Sequence, residues 1–221
     1  MVTKFLIFFF LSIIALTSVT AEDGTGFVGS PNRKFLGLKT KEKLSHFRFY
    51  WHDILTGSNP SAIQISPSVP KYNTTTSFGL VRILDNPLTL GPELSSKQVG
   101  RAEGLYASAS RSELSLLMVM NFALTEGKYN GSTITIMGRN RALGKVSREM
   151  PVIGGSGIFR FARGYALVKT HSSDPKTMQA TVEYNVYVLH YWYAFYGFKL
   201  GGTMVGVMVV MCYYYIKKFF N

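Results

Sequence analysis

Across residues 43–191, apolar and polar positions alternate with the two-residue period of β-strands. The alternation is clearest in Thr133-Ile134-Thr135-Ile136 and again over residues 181–188. In both, one face is directed to a core and the other to solvent or a lumen. An aromatic run at residues 47–52 and apolar segments at 77–85, 115–124, 132–137, 158–168 and 180–191 are the expected strands. Turn residues separate them at 56–60, Asp85-Asn86-Pro87, Glu126-Gly127, Asn130-Gly131 and 172–175. No long amphipathic helical pattern competes. Short strands without βαβ spacing predict an antiparallel barrel or sandwich.

Both ends depart from this pattern. Met1 to Lys4 is a short basic stretch, residues 5–16 are apolar, and Val19 and Ala21 stand at the −3 and −1 places of a signal-peptidase site. Residues 1–21 therefore read as a secretory signal, with 22–42 an N-terminal extension and 43–191 the folded domain. Two glycosylation sequons, at Asn73 and Asn130, agree with export. At the other end, residues 200–216 carry no charge and lie between Lys199 and Lys217-Lys218. As a helix this run spans roughly 25 Å, just short of the ~30 Å hydrocarbon core. The tail at 192–221 reads either as a membrane anchor or as an extension the domain does not need, and the second is the expectation here.

Composition narrows the function. The chain has 221 residues, 24 Lys+Arg against 12 Asp+Glu, and a formal net charge of +12. Hydrophobic residues at 47% and charged residues at 16% exclude a disordered chain. Cys212 is the single cysteine, so an intramolecular disulfide and a thiolate metal cluster are excluded. The four histidines, at 46, 52, 171 and 190, have no metal-site spacing, and no P-loop, GxSxG elbow or HExxH is present. Gly154-Gly155-Ser156-Gly157 leads into strand-like sequence and is read as a tight turn. Basic residues scattered among aromatic strands make nucleic acid a poor partner, and neither a metal nor a cofactor is expected.

The residues then point to a family. FYWHDILTG at 49–57, ILDNPLT at 83–89, VGRAEGLYA at 99–107, NGSTITIMGRN at 130–140, REMPVIGGSGIFRFARGYA at 148–166 and VEYNVYVLHY at 182–191 closely resemble plant dirigent proteins, in the family's order and spacing. The resemblance implies an eight-stranded antiparallel β-barrel, all-β, assembled as a trimer or a dimer and secreted to the apoplast. It further implies that the protein binds phenoxy radicals made by a separate laccase or peroxidase and steers their coupling to one stereoisomer, as in lignan formation from coniferyl alcohol. Some relatives instead close a ring on isoflavonoid quinone methides with loss of water. A third role is to organise lignin in the wall.

The family's pocket groups fall, by resemblance, on Asp53, Arg148, Tyr106 and Asn140. The first two are expected to act on the ligand and the last two to bind it. Lignan-forming members carry aspartate where this chain has Asn140, and an amide cannot take a proton as a carboxylate can. That departure points away from pinoresinol-type coupling. Each position also has a structural reading. Asp53 caps a turn, Arg148 pairs with Glu149 or another surface acid, Tyr106 packs in the core, and Asp85 holds a turn before Asn86-Pro87. Phe122, Phe159 and Phe161 either line a lumen or fill the barrel.

Overall fold

The computed structural model describes residues 29–33, 36–67, 75–142 and 147–191. The expected signal at 1–21, the sequon asparagine Asn73 and the tail at 192–221 lie outside the described residues. The chain divides into two compact units, Met1–Leu38 and Lys39–Asn221. In the first, the described residues include a turn in which the Leu38 amide donates to the Arg33 carbonyl at 2.9 Å.

In the second unit, alternation builds nine antiparallel strands among the described residues: β1 (Glu42–Asp53), β2 (Ala62–Ser66), β3 (Val81–Thr89), β4 (Gln98–Ser108), β5 (Leu116–Leu124), β6 (Thr133–Asn140), β7 (Arg148–Gly155), β8 (Arg163–Ser173) and β9 (Ala180–Tyr191). They pair in the order β1-β9-β8-β7-β6-β5-β4-β3-β2. The sheet closes where Tyr50 and Trp51 of β1 meet Thr89 and Leu88 of β3. Eight strands thus form the expected barrel, and short β2 continues the seam beside the other half of β3. Buried positions are odd-numbered along most of β1 and even-numbered on β3 to β9, as the pleat requires.

The sequence pattern and the structure differ in three places. Residues 77–85 were expected as a strand ending in a turn at Asp85-Asn86-Pro87. The strand instead runs Val81–Thr89, and the supposed turn lies in its middle. Pro87 is tolerated there because β2 pairs with β3 only as far as Leu84 and β1 only from Leu88, so its missing N–H falls in the gap between them. Residues 157–159 form a 3-10 turn rather than the start of a strand, and β8 begins at Arg163. The glycine run does make a tight turn, with Gly157 at φ +60°. The third difference is that β2, β4 and β7 were not expected.

Rings fill one end of the barrel. Phe49 and Phe122 meet edge to face at 5.0 Å, as do Phe122 and Tyr184 at 5.4 Å. Beyond them Phe47, Tyr129 and Phe159 pack together, and Phe159 lies edge-on to His190 at 5.1 Å. Each such ring pair adds about 0.5–1.5 kcal/mol beyond its area burial. His190 and Ser45 share a hydrogen bond of 2.9 Å at this packed end. Phe122 and Phe159 are therefore packing residues, whereas Phe161 is outside and half exposed.

Strand β4 can lie flat on β5 only because Gly104 has no side chain. A Cβ there would sit 2.1 Å from the Val119 carbonyl oxygen, whereas one at Gly154 would meet nothing within 4 Å. Gly104→Ala should therefore destabilise the barrel by about 1–3 kcal/mol or more in urea unfolding, while Gly154→Ala should stay within about 0.5 kcal/mol of wild type. Equal effects of the two substitutions would contradict this packing.

Candidate functional site

The opposite end of the lumen is polar. It is built by the C-terminal ends of β1, β4, β6 and β8 and the N-terminal ends of β3, β5, β7 and β9. On inward positions it carries Trp51 and Asp53 from β1, Arg82 and Asn86 from β3, Tyr106 from β4, Asn140 from β6, Arg148 from β7 and Thr170 from β8. All four pocket positions implied by the resemblance are thus inward and buried: Asp53 at 7% exposure, Tyr106 at 3%, Asn140 at 7% and Arg148 at 8%.

Asp53 is the centre of this set. The Tyr106 hydroxyl donates to its Oδ2 at 2.9 Å, and the Asn86 amide donates to Oδ1 at 3.1 Å. Asn86 is oriented in turn by Ser61, whose hydroxyl donates to Asn86 Oδ1 at 2.5 Å. Burial pushes the Asp53 carboxyl above its ordinary range, and these two hydrogen bonds and the charge of Arg82 oppose the rise without cancelling it. Burial likewise pushes the Tyr106 hydroxyl upward, reinforced by the Asp53 charge, so it remains a donor. Asp53 is therefore a hydrogen-bonded strand residue rather than the cap of a turn.

Arg148 does not pair with Asp53. Its Nη1 donates to Thr170 Oγ1 at 3.0 Å and to the Ala142 carbonyl at 3.3 Å. The surface pairing with Glu149 also fails, because Glu149 occupies the outward face of β7 and is exposed. Burial pushes the Arg148 pKa down. Beside it the β6–β7 ladder stops at Ile136 and Val152, so the ends carrying Asn140 and Arg148 are not paired with each other. Asp85, expected to hold a turn, is exposed on β3 and bonds Arg101 of β4.

Three buried polar atoms have no partner among the described residues and lie on inward positions at this end: Trp51 Nε1, Asn140 Oδ1 and Arg148 Nε. Two are donors and one is an acceptor. Buried polar groups are nearly always hydrogen-bonded to protein, water or a ligand, so these three atoms are the ones at this end open to a further partner. Trp51, Arg82, Asn86 and Thr170 were not singled out from sequence. Trp51 carried a usable signal, since it sits two residues before Asp53 and shares its face. A cavity of about 550 Å³ at this end is lined by residues that include His52, Asp53, Glu93, His171, Asp174 and Thr181, but it does not include Tyr106, Asn140 or Arg148. Among the described residues no group of three or more His, Cys, Asp or Glu side chains is placed to hold a metal ion.

The family model described as "Dirigent-like protein" matches residues 44–189. Dirigent protein 7 of Arabidopsis thaliana is 54% identical over 173 residues, which cover 78% of this chain and 90% of that protein. Pterocarpan synthase 1 of Glycyrrhiza echinata is 42% identical over 189 residues, covering 86% of this chain and 98% of the relative. A solved structure of a pterocarpan synthase dirigent protein superposes with a TM-score of 0.65 at 44% identity, covering 69% of this chain and 88% of its own.

A carboxyl whose pKa is raised by folding binds its proton more tightly in the native state. Its contribution to stability is therefore lost as pH rises from the unfolded pKa, about 3.9, to the raised native value. The stability of Asp53→Asn relative to wild type should rise across that window and level off above it, read from urea unfolding at a series of pH values. A relative stability that falls with pH would mean that the Asp53 pKa is depressed instead.

Proposed function

The chain belongs to the dirigent-like family, and on that premise we propose that it binds phenoxy radicals made by a separate laccase or peroxidase and directs their coupling to one stereoisomer. The observation that carries this reading is the unpartnered trio of Trp51 Nε1, Asn140 Oδ1 and Arg148 Nε around the hydrogen-bonded Asp53. A phenylpropanoid supplies what these atoms lack. Its oxygens accept from Trp51 and Arg148, its side-chain hydroxyl donates to Asn140, and its ring lies against the apolar lumen. Fixing which face of the radical is open is enough to select a product, because orientation alone discriminates between couplings of equal intrinsic energy.

Ring closure on an isoflavonoid quinone methide precursor is the second reading. Two observations favour it, the 42% identity to a pterocarpan synthase and the raised pKa of Asp53. In this reading Asp53 gives its proton to the departing hydroxyl, which leaves as water, and regains one from the phenol that closes the ring. A carboxyl whose pKa burial raises holds its proton more tightly than an exposed aspartate, which suits that exchange.

The proposal includes export to the apoplast through the signal at 1–21, with glycans on Asn73 and Asn130. Asn130 is exposed in the turn between β5 and β6. It also includes a homo-oligomer, a trimer by resemblance. Ile63, Ile83, Leu105, Val119 and Met137 form one cross-strand row on the outer face of β2 to β6. Ile63 is 55% exposed, Ile83 40% and Met137 43%, and a continuous apolar row of this kind is best covered by a second copy. Ile83→Glu should reduce the solution mass in light scattering to that of a monomer while leaving the strand circular dichroism intact. An unchanged mass would remove this face as the interface.

Supplying coniferyl alcohol and a racemising oxidase tests the main reading. Enantiomeric excess should appear only with both oxidase and protein present, and Arg148→Leu should abolish it without loss of fold. Product formed from an isoflavonoid precursor with no oxidase would establish ring closure instead. No excess and no product across a panel of both substrate classes would leave wall organisation as the role.

A further inference from the structure

Arg82 is placed unlike the ion-pairing arginines of the barrel. Arg48, Arg101, Arg139, Arg141 and Arg163 each grip a carboxylate. Arg82 occupies an inward position on β3, in register with Tyr106 on one side and Gln64 on the other. Its two contacts are to neutral groups. Nη1 donates to the Tyr106 hydroxyl and Nη2 to Gln64 Oε1, both at 3.4 Å, and its guanidinium stands 5.8 Å from the centre of the Tyr106 ring. Among the described residues no carboxylate lies within ion-pair distance of it.

The hydrogen-bond sequence fixes what this cation is free to do. Tyr106 spends its proton on Asp53, so its oxygen accepts from Arg82. Asp53 in turn has both oxygens occupied, by Tyr106 and Asn86. The carboxylate nearest in charge to Arg82 is therefore reached only through a phenol, and among the described residues two neutral groups take its hydrogen bonds. At the same end Arg148 is a second guanidinium without a carboxylate partner, with Nε unpaired. Asn140 is neutral. Two guanidiniums thus stand at the same end as the single carboxyl of Asp53, and their partial burial strengthens the attraction for an additional negative oxygen relative to water.

We propose that Arg82 is an anion-recognition residue of this site, taking the ionised oxygen of a phenolic ligand, so that phenolates bind in preference to neutral phenols and phenol ethers. Gln64 and Tyr106 hold the guanidinium in place, and Gln64 belongs to β2, the strand that stands outside the barrel's closure. This inference rests on the reading that the site takes a phenolic ligand, and it concerns the closed-shell phenol, since the phenoxy radical is neutral and has no proton to lose. A charge-assisted hydrogen bond to a phenolate oxygen is about twice as strong as a neutral one, so its loss should weaken binding about tenfold or more.

The probes are 4-nitrophenol, whose ionisation is read by its absorbance, and its methyl ether, which cannot ionise. Wild-type protein should bind the phenolate more tightly than the ether and lower the apparent pKa of the bound phenol. Arg82→Gln should lose about tenfold in phenolate affinity and abolish the pKa shift, with ether affinity unchanged. Arg82→Lys should retain part of the preference. If wild type and Arg82→Gln prefer phenolate equally, or wild type shows no preference, the role of Arg82 is refuted while the phenolic site stands. If wild type binds neither probe, the phenolic reading fails and takes this inference with it.

Discussion

A carboxylate taken out of water must be hydrogen-bonded, paired or protonated, and Asp53 imposes that condition on the whole polar end of the barrel. Satisfying it requires Tyr106 from β4 and Asn86 from β3 to reach the last residue of β1, with Ser61 orienting Asn86. Those contacts join three strands at the seam where the sheet closes. The seam itself has only two paired positions between β1 and β3. Polar contacts and strand closure are therefore mutually dependent: the network is correctly placed only in a closed barrel, and it ties together the place where closure is thinnest.

The two ends of the lumen solve different problems. At one, Phe47, Phe49, Phe122, Tyr129 and Phe159 interlock, leaving His190 and Ser45 to satisfy each other. That end contributes stability. At the other, Trp51 Nε1, Asn140 Oδ1 and Arg148 Nε have no partner among the described residues, which fits the proposed role of this end in holding a ligand. Asn140 fills its inward position with a neutral amide, so Asp53 is the one carboxyl among the inward polar side chains named at this end.

The strands whose inward residues are large and whose outward residues are polar were legible in the sequence, β6 and β9 above all. Strand β4 was not, because its inward face begins with Gly100, Ala102 and Gly104, which give close approach to β5 rather than apolar volume, before Tyr106. Strand β3 was displaced because Asn-Pro ordinarily marks a turn, and here the asparagine is a buried ligand of Asp53 and the proline falls in an unpaired gap. The four pocket positions expected from the resemblance, Asp53, Tyr106, Asn140 and Arg148, are buried inward positions at one end. Their partners were not legible, since Asp53 meets Asn86 and Tyr106 rather than Arg148, and Arg82 gains its place only through cross-strand register. Alternation tells which face a residue takes, but not which residue on another strand stands opposite it.

The central claim is that a buried carboxyl with a raised pKa organises a phenol-binding end of the lumen. It is tested most directly by following the carboxyl carbon of Asp53 by NMR through a pH titration, with and without a phenolic ligand. The account predicts a midpoint above the ordinary aspartate range in the free protein, and a further displacement when the ligand binds. An ordinary midpoint that no phenol moves would contradict it.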